Sequence, residues 1–219
     1  MTTTAAPPVA PVTVLTRVLL VVVTGGLLAR AAWHLASAGV PGHLVGGLLI
    51  LAYAGWVLAE APVTFRRTTT PPAETATLAA YALSRAAVAL TAALSPTPWT
   101  GWSAWMVPPV LLFAGGIALR TAAIRRLGAL YTHQVLRRAE HPIATTGPYR
   151  FVRHPAYSGM LAANLGFVLA FPSWPAAAAQ LLLTAALVWR IRREEVLMWS
   201  LPAYAGYARG RRRLLTGVW

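Results

Sequence analysis

Two short clusters hold the residue types that could do chemistry. The first is Gly147-Pro148-Tyr149-Arg150-Phe151-Val152-Arg153-His154-Pro155-Ala156-Tyr157-Ser158-Gly159. Pro155 pushes His154 out of helical geometry and suits the first turn of a helix that follows it. That helix N-terminus would offer unbonded backbone N–H groups and the positive end of the helix dipole. With Arg153 and His154 directed to the same place, an anionic group such as a carboxylate would be well held, and Tyr149 and Tyr157 add flat rings for stacking on a base or facing a cation. The second cluster, Arg190-Ile191-Arg192-Arg193-Glu194-Glu195, holds two of the five acidic residues of the chain. On a helix Arg190 and Glu194 stand one turn apart on one face. Arg190 could clamp a substrate carboxylate and Glu194 could accept hydrogen bonds from ligand hydroxyl or amino groups. Each cluster also has a plainer reading: an Arg-Tyr-His belt at a membrane interface, and a solvated ion pair worth roughly 0.3–0.5 kcal/mol.

The elements that must position these residues are apolar helices. Of the 219 residues 57% are hydrophobic and only 11% charged, against about 25% charged in a soluble domain, so lipid is the expected solvent. All 19 basic residues are Arg, for a net charge of +14. The arginines lie beside apolar stretches, which favours the positive-inside rule over nucleic-acid binding as their explanation. There is no Cys, which excludes disulfides, thiolate nucleophiles and Cys-ligated metal sites.

Four apolar spans are expected, over about 12–39, 44–60, 76–94 and 102–119. Residues 1–119 would then form an N-terminal membrane domain, followed by a catalytic region over 120–219. Between Arg153 and Arg190 there is no Asp, Glu, Lys or Arg, and Pro172-Ser173-Trp174-Pro175 divides the stretch into two pieces of about sixteen residues. A spanning helix needs about 20 residues. The pieces read as a membrane hairpin over 156–190 that enters and returns to one side. Arg66 and Arg67 in one linker, and the arginines of 120–153, place these segments, the N-terminus and the C-terminus in the cytoplasm. The expected fold class is all-α: a polytopic helix bundle of four N-terminal spans plus a C-terminal hairpin, in a membrane that reads as the bacterial inner membrane. Arg125, Arg126, Arg137, Arg138 and the tail are expected to set topology, and Arg211 to Arg213 to lie on anionic membrane lipid. Arg30 and Arg85 fall inside spans, at roughly 2.5–3.5 kcal/mol each on insertion scales. Arg30 reads as snorkelling; Arg85 reads equally as snorkelling or as facing the bundle interior.

Taken together and in order, Gln134, His141, Thr146-Gly147, Tyr149, Arg153-His154-Pro155, Tyr157, Gly159 and Glu194-Glu195 resemble the isoprenylcysteine carboxyl methyltransferase family and, more broadly, the phospholipid methyltransferases of membranes. The resemblance spans about Tyr131 to Trp219. It implies an S-adenosyl-L-methionine-dependent methyltransferase without a Rossmann domain, with a cytoplasmic cofactor pocket and a lipid-like or prenylated carboxylate substrate arriving from the bilayer. It further implies cofactor contacts from Gln134, His141, Ile143, Ala144, Tyr149, Arg153, His154, Pro155, Tyr157 and Glu194, substrate binding by Arg190, catalytic roles for Arg190 and Glu194, and no metal.

Methylation of a carboxylate needs no general base, which fits the lack of an Asp–His pair or a catalytic Cys. Three other readings stand beside it. The acceptor could be a phospholipid amine, with His154 or Glu194 as base. The chain could be a nicotinamide-dependent reductase of the sterol-reductase type, whose ends carry a similar Arg-His, Tyr and Gly pattern. It could also be a non-enzymatic membrane scaffold.

Overall fold

Proline sets where most helices begin. Pro41, Pro108, Pro155, Pro175 and Pro202 each occupy the first turn of a helix, where the missing N–H is no loss and the fixed φ is already helical. The computed structural model describes residues 11–66, 74–128, 143–214 and 219. Its helices are α1 (Pro11–Ala36), α2 (Pro41–Thr64), α3 (Thr75–Leu94), α4 (Val107–Leu127), α5 (Pro155–Ala170), α6 (Trp174–Met198) and α7 (Pro202–Ala208), with single 3₁₀ turns at Ala104–Met106 and Gly147–Arg150. The fold is an all-α polytopic bundle with four N-terminal spans and a C-terminal hairpin, and no strand was found among the described residues.

Among the described residues five helices are long and apolar enough to cross a membrane: α1, α2, α3, α4 with its preceding turn, and α6. The expected hairpin arms of about sixteen residues are half right. α5 has 16 residues, but α6 has 25 and runs on through Arg190–Glu195 to Met198. Likewise α2 does not stop at Glu60, nor α4 at Arg120. In each case the charged side chain finds a partner inside the bundle, so a charge in the sequence no longer marks the helix end.

The connections alternate between two ends of the bundle. At one end His34 of α1 and Phe171 after α5 meet with ring centroids 6.0 Å apart, and the Ser95 hydroxyl bonds that of Ser173 at 2.7 Å. Segments 65–66, 128, 143–154 and 199–214 gather at the opposite end, with the chemically equipped residues. α5, the shortest of the apolar helices, lies against α3, α4 and α6. Glycines let α4 and α5 approach backbone to backbone. A Cβ on Gly159 would stand 2.6 Å from the Arg120 nitrogen and 2.6 Å from the Gly116 oxygen, and one on Gly166 would stand 2.4 Å from the Phe113 nitrogen. Small residues at such crossings replace the hydrophobic driving force that helices lack in lipid. Around this contact Tyr53, Met160, Phe167, Phe171, Leu183 and Leu187 are fully buried, while Val18, Val21, Leu181 and Leu182 face outward.

Arg30 reaches to the end of a neighbouring helix. Its Nε donates to the Ala93 carbonyl at 2.9 Å and its Nη2 to that of Ser95 at 3.4 Å, closing the C-terminus of α3, and its guanidinium lies 4.0 Å from the Trp33 ring centre. Cations at helix C-termini satisfy carbonyls that have no partner within the helix.

Candidate active site

α5 and α6 bring the two sequence clusters together. The turn before α5 carries Arg153 and His154, the first turn of α5 carries Pro155 and Tyr157, and the last turns of α6 carry Arg190, Glu194 and Glu195. Glu195 is buried, 3% exposed, and collects four partners. Arg153 Nη1 reaches its Oε1 at 2.9 Å, Arg213 Nε reaches Oε2 at 2.7 Å, the Tyr204 hydroxyl donates to Oε1 at 3.3 Å, and His154 Nε2 lies 3.3 Å from the same oxygen. Arg153 and His154 do converge, as their sequence positions suggest, and the carboxylate between them is the protein's own Glu195.

Glu194 points to a different set. The Tyr157 hydroxyl donates a short hydrogen bond to its Oε1, Arg190 Nε lies 3.2 Å from the same atom, and His154 Nδ1 is 3.8 Å from Oε2. Arg190 is 2% exposed. Its Nε also donates to the Tyr157 hydroxyl at 2.8 Å, and its Nη1 to Thr77 Oγ1 on α3 at 3.2 Å. The His154 and Tyr157 rings stack with centroids 5.9 Å apart. Arg190, Tyr157, Glu194 and His154 thus form one chain of contacts, in which Glu194 keeps 18% of its side chain exposed while that of Glu195 is closed to 4%.

The remaining candidates flank this chain. Tyr149 is buried in an apolar cluster with Ala123 and Ala156, against which Ala144 packs; Ile143 packs against Tyr204, Tyr207 and Ala208. Gln134 and His141 lie outside the described residues.

The tail, expected on anionic lipid, also packs against the chain that enters α5. The amides of Arg153 and His154 donate to the carbonyls of Arg212 and Arg213, both at 2.9 Å, and Ser158 Oγ donates to that of Leu214 at 2.6 Å. Arg153 Nε reaches the Arg211 carbonyl at 2.8 Å, and Arg211 Nη1 that of Tyr207 at 2.6 Å. Arg209 and Arg212 remain exposed. The tail therefore packs across the chain entering α5 and supplies Arg213 to Glu195. Burial, aided for Tyr204 by the Glu195 charge, pushes the phenol of Tyr204 well up and that of Tyr207 up to about 12. Both remain hydroxyl donors at neutral pH, Tyr207 to the carbonyl of Tyr149 at 3.0 Å.

Thr77 carries no sequence signal, because a lone Thr in an apolar helix is ordinary. A second buried network was also missed. Glu60 on α2 is 6% exposed and pairs with Arg85 Nη1 of α3 at 2.8 Å and with Arg120 of α4 through both oxygens. The indole of Trp56 donates to Glu60 at 2.8 Å, and Arg120 Nη1 donates to the carbonyl of Ala156, in the first turn of α5, at 3.1 Å. The available signal was an acidic residue in a chain with very few, following an uncharged span, together with an Arg in the middle of the next.

Residues 109–200 match the model of the isoprenylcysteine carboxyl methyltransferase (ICMT) family. The matched segment begins in the first turn of α4 and ends just beyond α6, so it contains both halves of the site and leaves out α1–α3. The match agrees with the resemblance seen in the residue pattern, reaches further back, to Pro109, and stops at Ser200, short of the Trp219 end of that pattern. No curated protein matches the chain.

Proposed function

Taking the similarity of residues 109–200 to the isoprenylcysteine carboxyl methyltransferase family as premise, we propose that this integral membrane methyltransferase uses S-adenosyl-L-methionine to esterify the carboxylate of a lipid-like, isoprenylcysteine-type acceptor. The observation that carries the reading is the contact chain Arg190–Tyr157–Glu194–His154, which lies inside the matched segment at one end of the bundle.

The donor chemistry suits such a cofactor. A partly open carboxylate, Glu194, beside a tyrosine and a histidine can meet a cationic ligand that also bears hydroxyls. Glu194, Tyr157, His154, Pro155 and Arg153 would hold it, with Tyr149, Ile143 and Ala144 behind them and Gln134 and His141 completing the set. The cofactor supplies an electrophilic methyl group when bound. A carboxylate is already ionised at neutral pH and needs no base, so the protein's task is alignment and exclusion of water. Arg190 does this by exchanging a bond to Tyr157 or Thr77 for one carboxylate oxygen, leaving the other oxygen free to react. The acceptor arrives from the bilayer. The positive-inside rule puts the site end in the cytoplasm of a bacterial inner membrane, where exposed Arg209 and Arg212 face anionic lipid.

Membranes incubated with methyl-labelled cofactor and then treated with base give the test: release of volatile methanol marks an ester, and label retained in lipid overturns the carboxylate reading. Arg190→Ala is expected to slow transfer about 100-fold or more with cofactor binding by calorimetry preserved; loss of that binding would remove Arg190 from the acceptor side.

One contact favours a second reading. His154 lies between Glu194 and Glu195, at 3.8 and 3.3 Å, as a base flanked by carboxylates would. A phospholipid amine as acceptor requires such a base. Label retained as an N-methyl product after base treatment would favour this reading, and methanol release belongs to the carboxylate.

A further inference from the structure

We infer that Arg213, in the C-terminal tail, is a positioning residue for His154. Through Glu195 it keeps the imidazole proton on Nε2 and turns the bare Nδ1 toward Glu194, so that Nδ1 and the Glu194 carboxylate together seat the ammonium group of a ligand. The ligand side rests on the cofactor proposed above, whose amino-acid end carries such a group.

Arg213 reaches His154 by two routes. Its carbonyl accepts the His154 amide at 2.9 Å, and its side chain acts through Glu195. Arg213 Nε holds Glu195 Oε2 at 2.7 Å, which aims Oε1 at His154 Nε2, 3.3 Å away. Arg153 Nη1 and the Tyr204 hydroxyl meet the same Oε1. A carboxylate paired with two guanidiniums stays ionised and can only accept hydrogen bonds, so Nε2 carries the proton. The partner of one imidazole nitrogen thereby fixes the state of the other. Arg213 is itself fixed: its amide donates to the Trp219 carbonyl at 2.6 Å, and its guanidinium lies 4.8 Å from the Trp219 ring centre.

The other edge of the ring faces the ligand side. His154 Nδ1 stands 3.8 Å from Glu194 Oε2, beyond hydrogen-bond reach. Two acceptors at that separation do not bond each other, but one nitrogen placed about 2.8 Å from both can donate to each. An ammonium brings three N–H donors and no acceptor, together with the charge that Glu194 attracts. Glu194 Oε1 is taken by the Tyr157 hydroxyl and Arg190 Nε, which leaves Oε2 for the ligand, and the side chain keeps 18% exposure. Stacking on Tyr157 holds the plane of the His154 ring. Arg213 lies beyond the matched segment 109–200.

The full-length protein in neutral detergent gives the test, with two readouts. Nitrogen NMR of protein labelled in its histidines is recorded at about pH 8, above the ordinary histidine pKa, and His154 is identified by its loss in His154→Asn. The wild type is expected to show a protonated Nε2 and a bare Nδ1. Arg213→Ala removes the side chain but keeps the backbone bond to His154, and should mix the two tautomers; Arg213→Lys should restore the wild-type state. Calorimetry then compares S-adenosyl-L-homocysteine, which bears the ammonium, with methylthioadenosine, which lacks it. Arg213→Ala should weaken the first about tenfold, the lower end of what losing an outer partner of a histidine costs, and leave the second unchanged, with Arg213→Lys recovering most of the loss. A wild-type proton on Nδ1 or on both nitrogens, equal weakening of both probes, or a Lys variant no better than the Ala one would each overturn the assignment. A wild type that binds neither probe removes the cofactor reading, and the wild-type spectrum alone then decides the role of Arg213.

Discussion

Glu60 and Glu195 are both buried carboxylates that meet this chain's excess of arginine, and they do so differently. Glu195 binds Arg153, Arg213, Tyr204 and His154, drawn from the turn before α5, from α7 and from the tail. Its oxygens are spent on holding separate segments together. Glu60 ties α2 to α3 and α4, and one of its partners, Arg85, keeps a buried edge without a hydrogen bond. A fully satisfied polar network fixes a fold, whereas a partly satisfied one is high in energy until something completes it. The first network therefore reads as scaffold for the neighbouring Glu194 and Tyr157, and the second as the tie that holds α2, α3 and α4 together.

Removing each carboxylate tests that contrast most severely. Glu60→Ala strands the fully buried guanidinium of Arg120, that of Arg85 and the indole N–H of Trp56, and Glu195→Ala strands the guanidiniums of Arg153 and Arg213 and a buried phenol; each is expected to cost about 3–5 kcal/mol. Chemical unfolding in detergent measures both, and a loss of only about 0–1 kcal/mol for either, the range of an exposed pair, would remove it as a buried hub. Next in size is Gly159→Val. Its Cβ would press on backbone atoms of Arg120 and Gly116, forcing α4 and α5 apart at about 2 kcal/mol. Because Arg120 holds Ala156 in the first turn of α5, both networks should loosen together. Methyl transfer that falls with stability would show the coupling, and unchanged transfer in a destabilised variant would show the site to be independent of that crossing.

How far this was legible in the sequence depends on distance along the chain. The turn at Pro155, the Arg190–Glu194 pair one helical turn apart and the span of α3 follow from local rules, and the structure has them nearly as read. What local rules miss are partners far away. Glu60 looked like the end of a span because its arginines lie 25 and 60 residues further on. α6 looked short because the residues that neutralise Glu195 come partly from 42 residues before it and 18 after it. Arg211 to Arg213 have the composition of a lipid-binding run, and the pairing of Val152 with Arg212 brings Arg211 and Arg213 against the chain while the Arg212 side chain stays exposed. The ordered residues from Thr146 to Glu195 were legible as a family pattern because they lie on two consecutive helices and the turn before them.

The smallest expected effect supplies the baseline for the comparison. Arg193 of α6 reaches Glu74, the residue just before α3, at 3.0 Å, and its side chain is 54% exposed. This pair has the same chemistry as the buried ones and ties α6 to the start of α3, yet water competes for its exposed arginine. Exposed pairs are worth about 0–1 kcal/mol and are screened by salt. Arg193→Ala should therefore lower stability by no more than about 0.5 kcal/mol at low ionic strength, and by almost nothing near 1 M salt, where the Debye length is about 3 Å. The Glu195→Ala penalty, shielded from solvent ions, should persist across the same salt range. If Arg193→Ala proved as damaging as Glu195→Ala, burial would not be what separates these networks, and the strength assigned to the Glu195 hub would have to come from its number of partners alone.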